Sequence, residues 1–165
     1  MGWSKGPVIL YPGCGADILY LLLFLEKIGY FFQEAEIILN DIDNIFNLIK
    51  TSLDDLGIGF VDEKSAGYGE KISFYWKEQL IHLPFISGNI FELLVHLPSF
   101  DLYFERAFRL MKEDHFEYEF QVFRKLNPGG ILISDSGYAQ LPLKKTDINK
   151  KISSYGEMMV GIKNK

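Results

Sequence analysis

Cysteine is almost absent from this sequence, since Cys14 is the only one among 165 residues. A single thiol excludes an internal disulfide and a multi-cysteine metal site, and it removes the main compositional argument for secretion. Long hydrophobic runs are also absent: the most apolar stretch, residues 18–25, is far shorter than the ~20 residues of a membrane span. The first residues show neither the apolar run nor the cleavage site of a signal peptide. These absences predict a cytoplasmic protein without a membrane partner.

An excess of basic charge is absent as well. Lysine and arginine number 17 against 22 aspartates and glutamates, which gives a formal net charge of −5. Such a chain has no global attraction for nucleic acid or acidic lipid, so we expect no nucleic-acid partner. His82, His96 and His115 have no metal-ligand spacing, and no metal is expected. The composition leaves the oligomeric state open.

Repeats and linkers are absent too, which predicts a single domain over residues 1–165. Strand-like and helix-like segments alternate instead. Strands are predicted at residues 8–11, 35–41, 99–104, 131–135 and 157–163, and helices at residues 16–28, 43–57, 89–97 and 105–126. Residues 71–88 are interpreted as a hairpin or one long strand, and residues 127–130 as a turn. This order predicts an α/β fold, with a doubly wound, mainly parallel sheet and helices on both faces.

In such a sheet, ligands bind beyond the carboxyl ends of the strands. The first predicted strand ends in Pro12, Gly13, Cys14 and Gly15, where glycine lets the backbone turn sharply and lets a ligand approach closely. A dinucleotide fingerprint would require a third glycine at the position of Ile18. These residues therefore form either a ligand-cradling turn or a plain strand-to-helix turn.

The next two strand ends also carry polar residues. Asp41 lies twenty-six residues after Gly15 and is suited to accept hydrogen bonds from both hydroxyls of a ribose, although a helix cap is the alternative. Asp43 is the better candidate for that cap. Asn89 follows the third strand and is suited to bond an adenine amino group while Ile90 packs on the ring. Asparagine is also among the best helix caps, so this second interpretation stays open.

Together these motifs resemble those of a class I S-adenosylmethionine-dependent methyltransferase, and the resemblance covers nearly the whole chain. In that family a glycine-rich loop follows the first strand, an acid ends the second, and an Asp/Asn-type residue follows the third. Residues 127–135, "NPGGILISD", resemble the family's L-x-P-G-G turn and fifth strand. The resemblance implies a Rossmann-like methyltransferase fold with S-adenosylmethionine as cofactor. The cofactor-binding residues it implies are Tyr11, Pro12, Gly13, Cys14, Gly15, Asp17, Asp41, Ile42, Asn89, Ile90 and Phe104.

The sequence departs from the family pattern at two loop positions and at both ends. Tyr11 stands where the family has an acid that bonds the methionine amino group, and Asp17 stands where a third glycine is common. Tyr11 cannot replace that acid, whereas Asp17 offers a nearby carboxylate. The chain starts close to the first strand, and only thirty residues follow the predicted fifth strand. We therefore expect a version of the fold that is trimmed at both ends.

The residues that follow the fourth strand face the methyl group in this family, which implies catalytic roles for Glu105 and Arg106. Pro12, Cys14, Gly15 and Arg106 also match short motifs of the thiopurine methyltransferase branch, while Glu105 replaces its aspartate. That resemblance implies a small aromatic or thiol substrate. The alternative for Glu105 and Arg106 is an exposed helix start, where the helix dipole favours glutamate.

The resemblance favours a methyltransferase that acts on a small molecule. A second hypothesis is a non-catalytic protein that binds S-adenosylmethionine or a nucleoside and keeps the fold. A third, a nicotinamide-dependent oxidoreductase, is disfavoured by Ile18. Asp135 and Ser136, after the predicted fifth strand, either line the substrate side or are plain turn residues.

Overall fold

The computed structural model describes residues 6–153 and 158–165, which form two compact units. Unit 1 is Met1–Gly88 and unit 2 is Asn89–Lys165. Each unit is described by itself below. Glu157, the first residue of the last predicted strand, lies outside the described residues.

Unit 1 contains a five-stranded mixed sheet in the order β3-β4-β5-β2-β1. Its strands are β1 (Val8–Pro12), β2 (Glu34–Asp41), β3 (Phe60–Ser65), β4 (Gly69–Trp76) and β5 (Gln79–Ser87). β2 runs parallel to both β1 and β5, whereas β4 is antiparallel to β3 and β5. The parallel strands are rich in buried aliphatic residues, as expected of strands covered on both faces.

The register of the parallel strands places their carboxyl ends side by side within unit 1. Pro12 at the end of β1 is level with Asn40, and Asp41 at the end of β2 is level with Ser87 of β5. The residues that follow β1, β2 and β5 therefore meet at one edge of the sheet, where α/β proteins bind ligands.

Unit 1 also contains helices α1 (Ile18–Lys27) and α2 (Phe46–Asp55). Asp17 caps α1, because its Oδ1 accepts a hydrogen bond from the Tyr20 N–H at 3.2 Å. The prediction that the second helix starts at Asp43, with that residue as its cap, is wrong. The Asn44 side chain accepts the Phe46 N–H, and the helix begins there.

Unit 2 contains a four-stranded mixed sheet in the order β6-β7-β9-β8. Its strands are β6 (Phe100–Phe104), β7 (Leu126–Ser134), β8 (Leu143–Asp147) and β9 (Met159–Lys163), and its helices are α3 (Ile90–Leu93), α4 (Arg109–Lys112) and α5 (Tyr118–Lys125). β6 and β7 are parallel, whereas β9 is antiparallel to β7 and β8.

The single long helix predicted over residues 105–126 is wrong, because α4 is one turn long and residues 113–117 form turns. His115 stacks on Phe91 with ring centroids 3.6 Å apart, and Lys112 turns its side chain inward. These tertiary contacts outweigh the helical periodicity. The predicted turn at residues 127–130 lies inside β7, where the Asn127 amide donates to Asp101 at 2.8 Å.

The α/β character of the fold is confirmed. In each unit's sheet the parallel strands lie at one side and the antiparallel pairs at the other. The hairpin interpretation of residues 71–88 is also confirmed, since β4 and β5 pair antiparallel. The sequence analysis missed β3 and β8. The positioning of helices on both faces and the single domain stay predictions. Within the described residues, no helix is long and apolar enough to span a bilayer.

Candidate functional site

The turn after β1 has the backbone geometry of a ligand loop. Gly13 and Gly15 have φ angles of 56° and 54°, a left-handed conformation that glycine adopts without strain. The Cys14 N–H donates to the Asn40 carbonyl at 3.1 Å and ties the turn to β2. No heavy atom lies within 4 Å of the position that a Cβ on Gly15 would occupy. The loop is thus held in place while space stays open beside its second glycine.

Asp41 joins this loop to the end of β2. Its Oδ2 accepts the Gly15 N–H at 3.0 Å, and its Oδ1 accepts the Asp43 N–H at 3.2 Å. Both bonds come from backbone amides, and the side chain stays partly exposed. A carboxylate has about four lone-pair sites, so two amide bonds leave acceptor capacity for ligand hydroxyls. The predicted ribose acceptor therefore lies beside the predicted glycine loop.

Asn40 is a positioning residue that the sequence analysis missed. Its side chain is buried, and its Nδ2 donates to the carbonyls of Ile86 and Gly88 at 2.9 and 3.0 Å. These bonds fix the end of β2 to the end of β5. A polar residue directly before Asp41, inside an apolar strand, is the signal that could have revealed it.

Ile42 supplies an apolar surface next to Asp41. Its side chain is 72% exposed, although it directly follows a buried strand. The Ser87 hydroxyl donates to the Ile42 carbonyl at 3.4 Å and holds this residue near the end of β5. An exposed isoleucine beside a hydrogen-bonding carboxylate suits a ligand that combines an aromatic ring with hydroxyl groups.

The other predicted loop residues of unit 1 are less open. Tyr11, Pro12 and Cys14 are buried. Burial, together with the nearby Asp41 carboxylate, raises the pKa of the Cys14 thiol to about 12 and keeps it protonated at neutral pH. Asp17 is exposed, and one of its oxygens caps α1. Cys14 is therefore a packing residue rather than a nucleophile.

The predicted adenine residues in unit 2 have local structural roles. Asn89 caps α3, because its Oδ1 accepts the Phe91 N–H at 3.1 Å and its Nδ2 donates to Glu92 at 3.2 Å. Ile90 and Phe104 are both buried. The helix-cap interpretation of Asn89 is thus confirmed, while the cofactor contacts of these three residues stay predictions.

Glu105, a predicted catalytic residue, is fully buried directly after β6. The hydroxyl groups of Tyr103, Ser134 and Tyr138 donate to its carboxylate at 2.6, 2.6 and 2.9 Å, and the Lys112 ammonium forms an ion pair with it. We call these five residues the buried acid cluster. Burial raises the pKa of Glu105, although Lys112 opposes that shift.

The surroundings of Glu105 correct the interpretation of residues 105 and 106 as an exposed helix start. No helix begins there, since Ala107 has a φ of 53° and α4 starts at Arg109. The Ala107 N–H donates to Asp135 at 2.7 Å instead. Arg106 is partly exposed, and its catalytic role stays a prediction. The partners of the Glu105 carboxylate are all buried side chains, and this burial does not favour the catalytic role predicted for Glu105.

The described residues offer no group of three or more His, Cys, Asp or Glu side chains that could hold a metal ion. Predicted site residues lie in two compact polar sites. One is the amide-held carboxylate beside the glycine loop in unit 1, and the other is the buried acid cluster in unit 2. Only the first has both open space and spare acceptor atoms.

No protein-family model and no curated protein matches this sequence. Solved structures do match its fold. A candidate class I S-adenosylmethionine-dependent methyltransferase from Listeria monocytogenes is 12% identical, with a TM-score of 0.53, over 96% of this chain and 54% of that one. TrmN from Thermus thermophilus is 14% identical, with a TM-score of 0.50, over 96% of this chain and 43% of that one. The chain thus spans about half the length of each, and its fold is similar to that of class I methyltransferases.

Proposed function

We propose that this protein is an S-adenosylmethionine-dependent methyltransferase that acts on a small molecule. The observation that carries the proposal is the hydrogen bond from the Gly15 N–H to the Asp41 carboxylate at 3.0 Å. It joins a glycine turn after one parallel strand to an acid after its neighbour. The similarity of the fold to class I methyltransferases supports the same conclusion.

The residues of unit 1 fit a cofactor that carries a nucleoside. The space beside Gly15 admits a ligand close to the backbone, and the partly exposed Asp41 carboxylate can accept ribose hydroxyls. The exposed Ile42 side chain offers an apolar surface for an adenine ring. S-adenosylmethionine, when bound, would supply an electrophilic methyl group. The chain's own residues would bind it, orient it and hold it away from water.

The substrate class in this proposal rests on charge. With a formal net charge of −5, the protein has no global attraction for nucleic acid, so a small molecule is the better candidate. The resemblance to the thiopurine branch is the weaker part. Glu105, which replaces the aspartate of that motif, is enclosed by the buried acid cluster. A small aromatic or thiol substrate is therefore one class to test among others.

A second candidate function is a non-catalytic protein that binds S-adenosylmethionine or a nucleoside. The burial of Glu105 favours it, because this predicted catalytic residue has no exposed surface. Both candidates use the same loop and the same Asp41 carboxylate. They differ only in whether a methyl group is transferred.

Calorimetry with S-adenosylmethionine, S-adenosylhomocysteine and NAD tests the shared part of both candidates. We expect both adenosyl ligands to bind. Asp41→Asn should weaken their binding by about tenfold or more, which corresponds to about 1.4 kcal/mol, because it removes the charge and one acceptor. Asp43→Asn is the matched control, since it changes a neighbouring exposed carboxylate. Binding of NAD alone, or equal affinities of the two variants, would exclude the proposal.

Transfer of a labelled methyl group separates the enzyme from the binding protein. The protein is incubated with labelled S-adenosylmethionine and a panel of thiols, phenols, amines and aromatic heterocycles. A labelled product that disappears with Asp41→Asn and persists with Asp43→Asn supports the methyltransferase. Tight binding of the adenosyl ligands without any labelled product supports the non-catalytic candidate.

A further inference from the structure

Unit 2 contains a cavity of about 500 Å³ that the proposed function does not use. This volume lies within the range of small-molecule sites. The cavity is bordered by α4, the turn after it and the loop that follows β7. Its lining residues are Arg109, Lys112, Glu113, His115, Phe116, Glu119, Asp135, Ser136 and Gly137.

The loop after β7 is firmly held at this cavity. Asp135 Oδ2 accepts the Ala107 N–H at 2.7 Å, and the Ser136 N–H donates to Ser134 at 3.0 Å. Gly137 has a φ of 79°, and a Cβ there would lie 1.9 Å from a carboxylate oxygen of Glu119, so a side chain at this position would displace that carboxylate. The wall of the cavity is therefore built before any ligand arrives.

Two polar atoms in this wall have no hydrogen-bond partner among the described residues: Asp135 Oδ1 and Ser136 Oγ. Both are buried, and a buried polar atom without a hydrogen-bond partner destabilises a fold. A carboxylate oxygen can only accept, so its missing partner is a donor. A serine hydroxyl can rotate to accept from the same kind of group. These two oxygen atoms of the wall thus lack a hydrogen-bond donor.

The charge of the wall selects a cation. The Lys112 ammonium is already held by Glu105, by Glu119 at 3.2 Å and by the Ser136 carbonyl at 2.8 Å. Its donors are used, so it is not available to an anion. Carboxylates outnumber cations around this cavity. The lining holds Glu113, Glu119 and Asp135 against Arg109 and Lys112, and Glu105 adds a further carboxylate beside Lys112. The wall therefore carries an excess of negative charge, which attracts a cation.

The lining also includes two aromatic rings, those of His115 and Phe116. Phe116 is 85% exposed, and the His115 ring lies flat against Phe91. An exposed phenylalanine ring can cover an apolar body, and its face attracts a cation. We propose that this cavity binds a small organic cation, namely a protonated primary amine carried on an apolar or aromatic body. The ammonium would donate to Asp135 and Ser136, and the body would pack on Phe116.

This inference goes beyond the proposed function and does not depend on it. All the residues that carry it belong to unit 2, and the amine is measured without any adenosyl ligand. A protein that fails to bind S-adenosylmethionine can still bind the amine, and the reverse also holds.

Three probes of similar size separate charge from shape: 2-phenylethylamine, which is cationic at neutral pH, 2-phenylethanol and 3-phenylpropionate. NMR titration of the full chain should show binding of the amine, with shifts confined to residues 109–119 and 135–137. The alcohol should bind about tenfold more weakly, since the ammonium–carboxylate interaction is lost, and the anion weaker still. Equal binding of all three probes, or shifts elsewhere, would overturn the proposal.

Asp135→Asn should weaken binding of the amine by about tenfold, while Ser136→Ala should weaken it by about threefold. Asp147→Asn removes an exposed carboxylate on β8 and is the matched control, for which the affinity should stay unchanged. If Asp135→Asn fails to fold, Glu113→Gln removes an exposed charge of the lining and should still weaken the amine by about twofold. Full affinity in these lining variants would rule the site out.

Discussion

Two carboxylates follow parallel strands in this protein, and their surroundings are opposite. Asp41 at the end of β2 receives hydrogen bonds from two backbone amides and stays partly exposed. Glu105 directly after β6 receives hydrogen bonds from three hydroxyl groups, forms an ion pair with Lys112 and has no exposed surface. The comparison teaches that two acids at similar places in an α/β fold can have different roles. What differs here is whether backbone amides or buried side chains hold the carboxylate.

Backbone amides can hold a carboxylate at the rim of a sheet without enclosing it. They cost no side-chain entropy and leave the outer lone pairs free. Side-chain donors that converge on a carboxylate instead enclose it. Burial raises the pKa of Glu105, and the Lys112 ammonium and the hydrogen bonds from Ser134 and Tyr103 oppose that shift. The surroundings of Asp41 thus fit the ligand-binding role proposed for it, whereas those of Glu105 fit a residue that stabilises unit 2.

The largest difference is expected when each acid is removed. Glu105→Ala should lower the free energy of unfolding by about 3 kcal/mol or more, because it leaves Lys112 buried without its closest carboxylate. Asp41→Ala should cost about 1 kcal/mol, since only two partly exposed amide bonds are lost. Urea titrations measure both, with the exposed Glu113→Ala as the control for unit 2. Equal losses for Glu105→Ala and Asp41→Ala would remove the distinction drawn here.

A smaller difference in the free energy of unfolding is expected when two glycines, both with positive φ angles, are replaced by alanine. Gly137→Ala should cost about 2 kcal/mol, because its Cβ would displace the Glu119 carboxylate from Lys112 and from the Tyr138 N–H in addition to the backbone strain. Gly15→Ala should cost only about 1 kcal/mol, since its Cβ would meet no atom within 4 Å.

Thermal unfolding measures the stability of the two glycine variants, and calorimetry measures their ligand affinity. We expect a different one of these two properties to change most in each variant. Gly15→Ala should weaken binding of S-adenosylhomocysteine, because its methyl group fills the space left for the ligand. Gly137→Ala should lower stability without acting through that space. A Gly15→Ala protein with normal ligand affinity would show that the open space is not used.

The smallest effect is the contribution of Cys14 to the free energy of unfolding at alkaline pH. Its pKa is raised from 9.0 to about 12 in the folded protein, so the unfolded chain loses the thiol proton first. The contribution is complete below pH 9.0 and is lost as the pH rises toward about 12. Between about pH 8 and about pH 10, the wild-type protein should lose roughly 1 kcal/mol more stability than Cys14→Ala. Parallel pH profiles of the two proteins would mean that the thiol is not desolvated.

Local signals in the sequence were enough to find the glycine loop and Asp41. Two glycines directly after an apolar run, and an acid directly after the next one, are patterns of neighbouring residues. Their proximity then followed from parallel pairing of β1 and β2, which the alternation of strands and helices predicts.

The surroundings of Glu105 could not be predicted in this way. Ser134 and Tyr138 lie 29 and 33 residues further along the chain, so no spacing rule connects them to the acid. The same contacts explain the break in the predicted long helix, because Lys112 and His115 turn toward tertiary partners. β3 was missed because its sequence, "FVDEKS", is mostly polar and gains its strand structure by pairing with β4.

The amide of Asn40 has a consequence for how this protein tolerates mutation. It donates to two carbonyl groups in a buried place, and aspartate, leucine or alanine cannot supply those two donors. A saturation scan would therefore mark position 40 as intolerant, much like a ligand-binding position. Intolerance to substitution at position 40 would therefore look the same whether Asn40 bound a ligand or only joined the ends of β2 and β5. A direct binding measurement is needed to tell these two roles apart.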